Sequence, residues 1–307
     1  MRLVTYSRNH EERLGALLDQ QVVDLQRAYQ MYCLARQIPA SLAGRFTYTI
    51  TLLAAGDEGI RAAVESLRFI QTKPAGRDTM EDVLFDLESV ALRAPLAHPG
   101  KVICVGGNFP APGKMSGPDY PILFLKPAST ITGPGMPVPV SPVASNVAYE
   151  VELAVVIGKR AHNLVGQDVS RYIAGYVLAN DMGDRLLEKR TSQWTTGKMF
   201  DSFTPLGPAI VTPDEITDTH DLQMQTWVND RQVQQGSTGE MFFDVEHLVR
   251  YISTLTTLEP GDIILTGSPK LMNGEPAPSL ALKPGDIVRV AVDGLGELTN
   301  PLQEEPG

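Results

Sequence analysis

Three times along the chain a Pro-Gly pair stands directly before a short β-branched run, at Pro99-Gly100, Pro260-Gly261-Asp262 and Pro284-Gly285-Asp286. The runs that follow occupy 102–105, 263–265 and 287–290 and are rich in valine and isoleucine. Proline pre-sets φ and glycine tolerates the conformations of a tight turn, so each pair feeds a new strand instead of letting a helix continue. Further strands are predicted at 149–157, 175–179, 209–211 and 222–228, whereas 243–255 carries the spacing of an amphipathic helix. Repeated strands with few helices predict an α+β, mostly β chain built as a β-sandwich or rolled sheet. A doubly wound α/β fold is disfavoured, because no strand leads through a glycine-rich phosphate loop into a helix.

The first hundred residues read differently. Segments 1–6, 13–17 and 21–25 alternate like a small antiparallel meander. From 25 to 67 the apolar residues Ala28, Tyr29, Met31, Tyr32, Leu52, Leu53, Ile60, Ala63 and Leu67 recur at helical steps, predicting helices packed on that sheet. Between 71 and 100 the periodicity fades and Pro74, Pro95 and Pro99 appear, which places a boundary between a small N-terminal domain, 1–97, and a second domain, 98–307.

Composition narrows the function classes. Hydrophobic residues make up 43% and charged ones 20% of 307, ordinary globular usage. The apolar runs fall far short of the ~20 residues that a membrane helix needs, so no membrane partner is expected. Asp and Glu total 36 against 26 Lys and Arg, a net charge of -10 that would repel a phosphate backbone and makes nucleic acid an unsuitable partner. Arg2, Arg8, His10, Glu11, Glu12 and Arg13 leave no apolar stretch for a secretory signal. The two cysteines, Cys33 and Cys104, lie far apart and outside any metal-ligand spacing, which suits a reducing cytoplasm.

The most informative stretch is 149–158. Residues two apart in a strand share a face, so Glu150 and Glu152 project together while Val151 and Leu153 point the other way. Two carboxylates that close call for a cation, and a hard divalent metal takes oxygen ligands of this kind. An exposed edge strand would produce the same Glu-x-Glu pattern. A third carboxylate, Asp181, closes the apolar run 172–180 and completes a plausible Mg2+ or Mn2+ site with waters. Arg185 and Lys198 follow, cations that make sense beside a metal when an anionic substrate bridges them.

At this point the residues resemble a family. Phe124-Leu125-Lys126-Pro127, Tyr149-Glu150-Val151-Glu152-Leu153, Leu178-Ala179-Asn180-Asp181-Met182, Gly197-Lys198-Met199-Phe200-Asp201 and Leu265-Thr266-Gly267-Ser268-Pro269 occur in the order seen in the fumarylacetoacetate hydrolase superfamily, in its acylpyruvase and 2-hydroxyhepta-2,4-diene-1,7-dioate isomerase-like branch. The resemblance covers most of 98–300. It implies a mixed β-roll, usually dimeric, with Glu150, Glu152 and Asp181 as ligands of Mg2+ or Mn2+. It further implies Lys198, Thr266 and Arg185 as catalytic residues, and Lys126, Asn108 and the amide of Gly267 as substrate-binding groups. Members act on small anionic oxo acids through an enolate that the metal stabilises.

One departure stands out. Hydrolytic members carry a lid with a His and a Glu that activate water, and here Pro112 and Met115 occupy those places. Pro110, Pro112, Gly113 and Pro118 predict an irregular loop over 108–117 in place of a helical lid. None of His10, His98, His162, His220 and His247 has a supporting motif, and Lys114, Lys270 and Glu275 are the substitutes that loop closure can bring near a ligand. The family name predicts hydrolysis of a carbon-carbon bond in an acylpyruvate-like compound. The alternatives are a tautomerase, isomerase or decarboxylase that needs no activated water, or a non-catalytic ligand-binding homologue.

Overall fold

The computed structural model describes residues 1–72, 80, 82–272, 275, 276 and 281–305, with the side chains of 271, 275 and 276 excepted. The Pro-Gly-Asp turns form as the sequence predicts. Gly261 and Gly285 adopt φ of 87° and 94°, values open to glycine at little cost. In both turns the aspartate closes the loop on itself: Asp262 Oδ2 accepts from the amide of Glu259 at 2.7 Å, and Asp286 Oδ2 from that of Lys283 at 3.0 Å. The strands Val102–Gly106, Ile263–Leu265 and Ile287–Val292 follow the three pairs.

The fold is α+β and mostly β. One long mixed sheet runs in the order Leu84–Asp86, Gln21–Asp24, Glu11–Leu18, Arg2–Arg8, Thr204–Val211, Ile173–Asn180, Val151–Ile157, Ile263–Leu265, Val102–Gly106, Ile122–Lys126. Ile263–Leu265 and Val102–Gly106 pair in parallel, and the neighbours of Val151–Ile157 pair with it antiparallel. A second sheet, Arg231–Ser237, Gln223–Val228, Ile287–Val292, Gly296–Glu304 and Val138–Val140, packs against it.

The strand Val151–Ile157 shows how the layers are built. Its residues Val151, Leu153, Val155 and Ile157 enter the core shared with Met224, Val288, Val290 and Leu298 of the second sheet. Ala154 and Val156 enter the opposite core, with Leu25, Tyr29, Leu52 and Ala63 of the helices Leu25–Arg36, Thr49–Ala54 and Gly56–Gln71. The strand is central and buried throughout, so the exposed-edge explanation of Glu-x-Glu does not hold.

The long sheet also crosses residue 97. Arg2–Arg8 pairs antiparallel with Thr204–Val211, Leu3 opposite Ile210, and the N-terminal helices share a core with Ala154, Val177 and Leu206. The prolines of that segment mark a linker in sequence, while the hydrogen bonds of the sheet continue past it. Strands Ile122–Lys126, Arg231–Ser237 and Gly296–Glu304 lay outside the sequence reading; in the last two, polar residues mask the alternation. The helix Val245–Leu255 is capped by Asp244, whose carboxylate accepts from the amide of His247.

Candidate active site and metal centre

The acidic cluster is assembled by backbone pairing. Val151 lies opposite Asn180 and Glu152 opposite Ala179, so Asp181 follows one strand where Glu150 precedes the other. The amide of Asp181 donates to the Glu150 carbonyl at 2.8 Å, and the Asn180 side chain accepts from the amide of Glu150 at 2.9 Å. Glu150, Glu152 and Asp181 are all buried, and each offers a carboxylate oxygen within 4.8 Å of the others.

Cations surround two of the three. Lys198, from the short turn Thr195–Lys198, donates to Glu150 Oε2 at 2.5 Å and to Asp181 Oδ2 at 2.7 Å. Lys126 donates to Asp181 Oδ1 at 2.5 Å and also to the carbonyls of Met182 and Phe203. Arg185 reaches Glu150 Oε1 at 2.7 Å, and Lys270 pairs with the same oxygen. Glu152 is treated differently: its Oε2 accepts only the amide of Gly267, at 2.7 Å, and no side-chain cation touches it among the described residues.

The titration of the cluster follows from this asymmetry. Burial alone would push Glu150 up, but Arg185, Lys198 and Lys270 outweigh it and hold the carboxyl well below the usual range. Burial pushes Glu152 well above that range, and the charges of Asp181 and Glu150 push it further. For Lys198, burial is overcome by Asp181 and Glu150, so its ammonium stays charged. Three hard oxygen donors, one of which, Glu152, has no cation among the described residues in contact with it, are a set that Mg2+ or Mn2+ fits.

Beside the cluster lies a cavity of about 240 Å3, lined by Glu150, Glu152, Asp181, Arg185 and Lys198 and also by Lys114, Glu188, Trp194, Ser268 and Lys270. Trp194 forms one wall: it crosses Phe124 edge-on and covers Gly106 so closely that a Cβ there would lie 1.9 Å from the indole. Larger cavities, of about 300 Å3 beside Met1 and Arg171 and about 320 Å3 beside Thr49 and His98, contain no converging carboxylates.

The remaining sequence candidates sit behind this wall. Thr266 is fully buried and donates its hydroxyl to the Leu153 carbonyl at 2.9 Å. Asn108 donates to the carbonyls of Phe243 and Thr266 and accepts from the amide of Phe243, which ties the start of segment 108–117 to two neighbouring loops. Gly267, at φ 100°, turns its amide toward Glu152. Lys126 is spent on Asp181 and two carbonyls. The segment 108–117 is irregular, with a single tight turn between Ala111 and Lys114. All five histidines are exposed and none lines the cavity. The side chain of Glu275 lies outside the described residues.

Glu188 and Trp194 are among the wall residues that sequence reasoning missed. Glu188 follows Arg185 by one helical turn and forms an ion pair with it at 2.9 Å, a spacing legible in principle. Trp194 gave no signal, since its role depends on Gly106 nearly ninety positions earlier.

Comparison with known proteins finds relatives in one family. The model of the fumarylacetoacetate (FAA) hydrolase C-terminal family matches residues 101–303. The chain is 38% identical over 238 residues to "Oxaloacetate tautomerase fahd2, mitochondrial" of Xenopus laevis, covering 76% of this chain and 74% of that protein. Among solved structures it resembles a fumarylacetoacetate hydrolase of Exiguobacterium antarcticum, with TM-score 0.78, 28% identity and coverage of 99% and 100%. It also resembles maleylpyruvate hydrolase of Sphingobium sp. SYK-6 in complex with manganese (II) ion and pyruvate, with TM-score 0.74, 28% identity and full coverage of both chains.

Proposed function

The chain belongs to the fumarylacetoacetate hydrolase family of enzymes, and on that premise we propose that it is a metal-dependent tautomerase of small oxo-diacids of the oxaloacetate type. The observation that carries this reading is the makeup of the cavity wall: a carboxylate triad and several cations, but no histidine among the described residues. Hydrolysis needs an activated water, and the altered lid offers no His-Glu pair to activate one. Keto-enol interconversion needs only a stabilised enolate and a group to move a proton.

The charges suit a dianion. Among the described residues, four carboxylates, Glu150, Glu152, Asp181 and Glu188, face four cations, Lys114, Arg185, Lys198 and Lys270, so this part of the wall is formally neutral. A divalent cation makes it dipositive, the complement of a dicarboxylate. Held by Glu150, Glu152 and Asp181, Mg2+ or Mn2+ would supply Lewis-acid stabilisation of the enolate oxygen. Lys198, fixed by two carboxylates, adds a preorganised positive charge at the oxo end of the substrate. Arg185, Lys114 and Lys270 are placed to bind the carboxylates, and Trp194 with Phe124 limits the length of acid admitted. Thr266, Asn108 and Gly267 act in this reading by fixing the loops around the cavity.

The buried, free thiols Cys33 and Cys104 fit a reducing compartment such as the cytoplasm, and no helix among the described residues is long and apolar enough to cross a membrane. A homodimer is part of the proposal, because Ile122 and Leu125 leave apolar surface exposed on the strand that ends the long sheet; light scattering should return a dimer mass, and a monomer mass would remove it.

The decisive measurement is loss of the enol absorbance of freshly dissolved oxaloacetate. We expect acceleration over free metal of about a hundredfold or more, in line with electrostatic stabilisation of one developing oxyanion. Acylpyruvates should be cleaved weakly. Faster cleavage of acylpyruvate than tautomerisation, with labelled water entering the released carboxylate, would overturn the reading in favour of hydrolysis; rapid release of pyruvate from oxaloacetate would overturn it in favour of decarboxylation.

A further inference from the structure

Resting on the tautomerase reading, the geometry points to Glu188 as the group that carries the proton between carbon and oxygen of the substrate. Elimination leads there first. Of the carboxylates on the cavity wall, Glu150, Glu152 and Asp181 converge as metal ligands, and the other titratable wall groups, Lys114, Arg185, Lys198 and Lys270, are cations. Among the described residues, Glu188 is the wall carboxylate left over. Its side chain belongs to the short helix Arg185–Glu188, and Arg185 bridges it to Glu150 of the triad.

Its own surroundings are those of a built-in base. Glu188 Oε2 accepts from Arg185 Nη1 at 2.9 Å, which fixes the direction of the carboxylate. Oε1 is buried with no hydrogen-bond partner, and Lys198 Nζ lies 4.0 Å from it. A buried acceptor left unpaired is unfavourable, so a proton or a donor arriving at Oε1 relieves a deficit already present in the fold. Two glycines make the room: a Cβ at Gly183 would stand 2.5 Å from Oε1, and one at Gly197 would stand 2.7 Å from Glu188 Cγ.

The step balances without any further reactant. Glu188 takes a proton from the carbon next to the keto group; the C–H pair becomes the carbon-carbon π bond, and the carbonyl π pair moves onto oxygen. The protonated carboxyl then returns that proton to the oxygen, giving the enol and restoring the carboxylate. The reverse sequence yields the keto form, and no water is consumed.

The test uses the full chain loaded with Mn2+ and pyruvate as probe, with exchange of the methyl protons for deuterium followed by NMR in heavy water. Glu188→Gln is isosteric and can still accept from Arg185. It should slow exchange by about a hundredfold to ten-thousandfold, the usual contribution of a general base. Calorimetric affinities for Mn2+ and for pyruvate should stay unchanged, and Glu188→Asp, which keeps a carboxylate, should recover part of the rate. Wild type that exchanges while Glu188→Gln exchanges equally fast would overturn the assignment and leave the tautomerase reading standing. Wild type that exchanges no faster than Mn2+ alone would overturn both. Loss of Mn2+ or pyruvate binding together with exchange in Glu188→Gln would show a structural role and overturn the assignment.

Discussion

Asp24, in a strand near one end of the long sheet, and Glu152 in the site are both buried carboxylates, and the protein handles them in opposite ways. Asp24 ends the strand Gln21–Asp24 and caps the helix Leu25–Arg36. Its Oδ2 accepts from Tyr6 at 2.6 Å and from Arg13 Nε at 2.5 Å, and its Oδ1 from the amide of Arg27 at 2.8 Å. Every need of that carboxylate is met by the chain itself, and the Tyr6 hydroxyl, buried and next to Asp24, is correspondingly reluctant to ionise. Glu152 receives one backbone amide and faces Asp181 and Glu150, two further negative charges. A satisfied buried charge holds a fold together, whereas one left in deficit marks a place where an external cation belongs.

The largest effect should come from breaking the unsatisfied cluster. Asp181→Ala removes one of three ligating carboxylates and frees Lys126 and Lys198 from their anchor. We expect metal uptake to vanish by calorimetry and turnover to fall at least about a hundredfold; uptake equal to wild type would place the metal elsewhere. Breaking the satisfied network should act on stability instead. Asp24→Ala leaves Tyr6 and Arg13 without their partner and the helix without its cap, at a cost of about 2–4 kcal/mol. Chemical denaturation checks this, and metal affinity should be untouched.

The smallest effect sharpens the contrast by its sign. In chelator-treated protein Glu152→Gln should raise the melting temperature on the order of 2–4 °C, the shift that about 1 kcal/mol produces in a large domain. The folded protein holds this carboxyl above its ordinary range, so a penalty appears as pH rises past the unfolded value and is complete above the folded one. The gain from glutamine should therefore be absent in acid and present at neutral pH. A lower melting temperature at neutral pH would mean that Glu152 is already compensated without metal.

Local patterns foretold a good part of this molecule. The period-two spacing of Glu150 and Glu152, the strand-ending position of Asp181 and the Pro-Gly-Asp turns are properties of neighbouring residues, and alternation along one strand decides which side chains share a face. The irregular lid followed from the φ restriction and missing amide of proline. The site residues behind the wall show the limit of that reasoning: whether the Thr266 hydroxyl faces a ligand or the Leu153 carbonyl depends on a strand 113 positions away.

What the sequence determined by itself was therefore chemistry carried by adjacent residues: turn, strand, the carboxylate pair and the irregular loop over 108–117. Tertiary structure alone decided that Arg2–Arg8 joins the long sheet beside Thr204–Val211, that Trp194 closes over Gly106, that Lys270 meets Glu150 across 120 positions, and that Oε1 of Glu188 is left without a hydrogen-bond partner. The physical reason is the same in each case. Pairing of sheet edges, close packing on a glycine and the balance of buried charge are set by groups that the chain brings together only after it has folded.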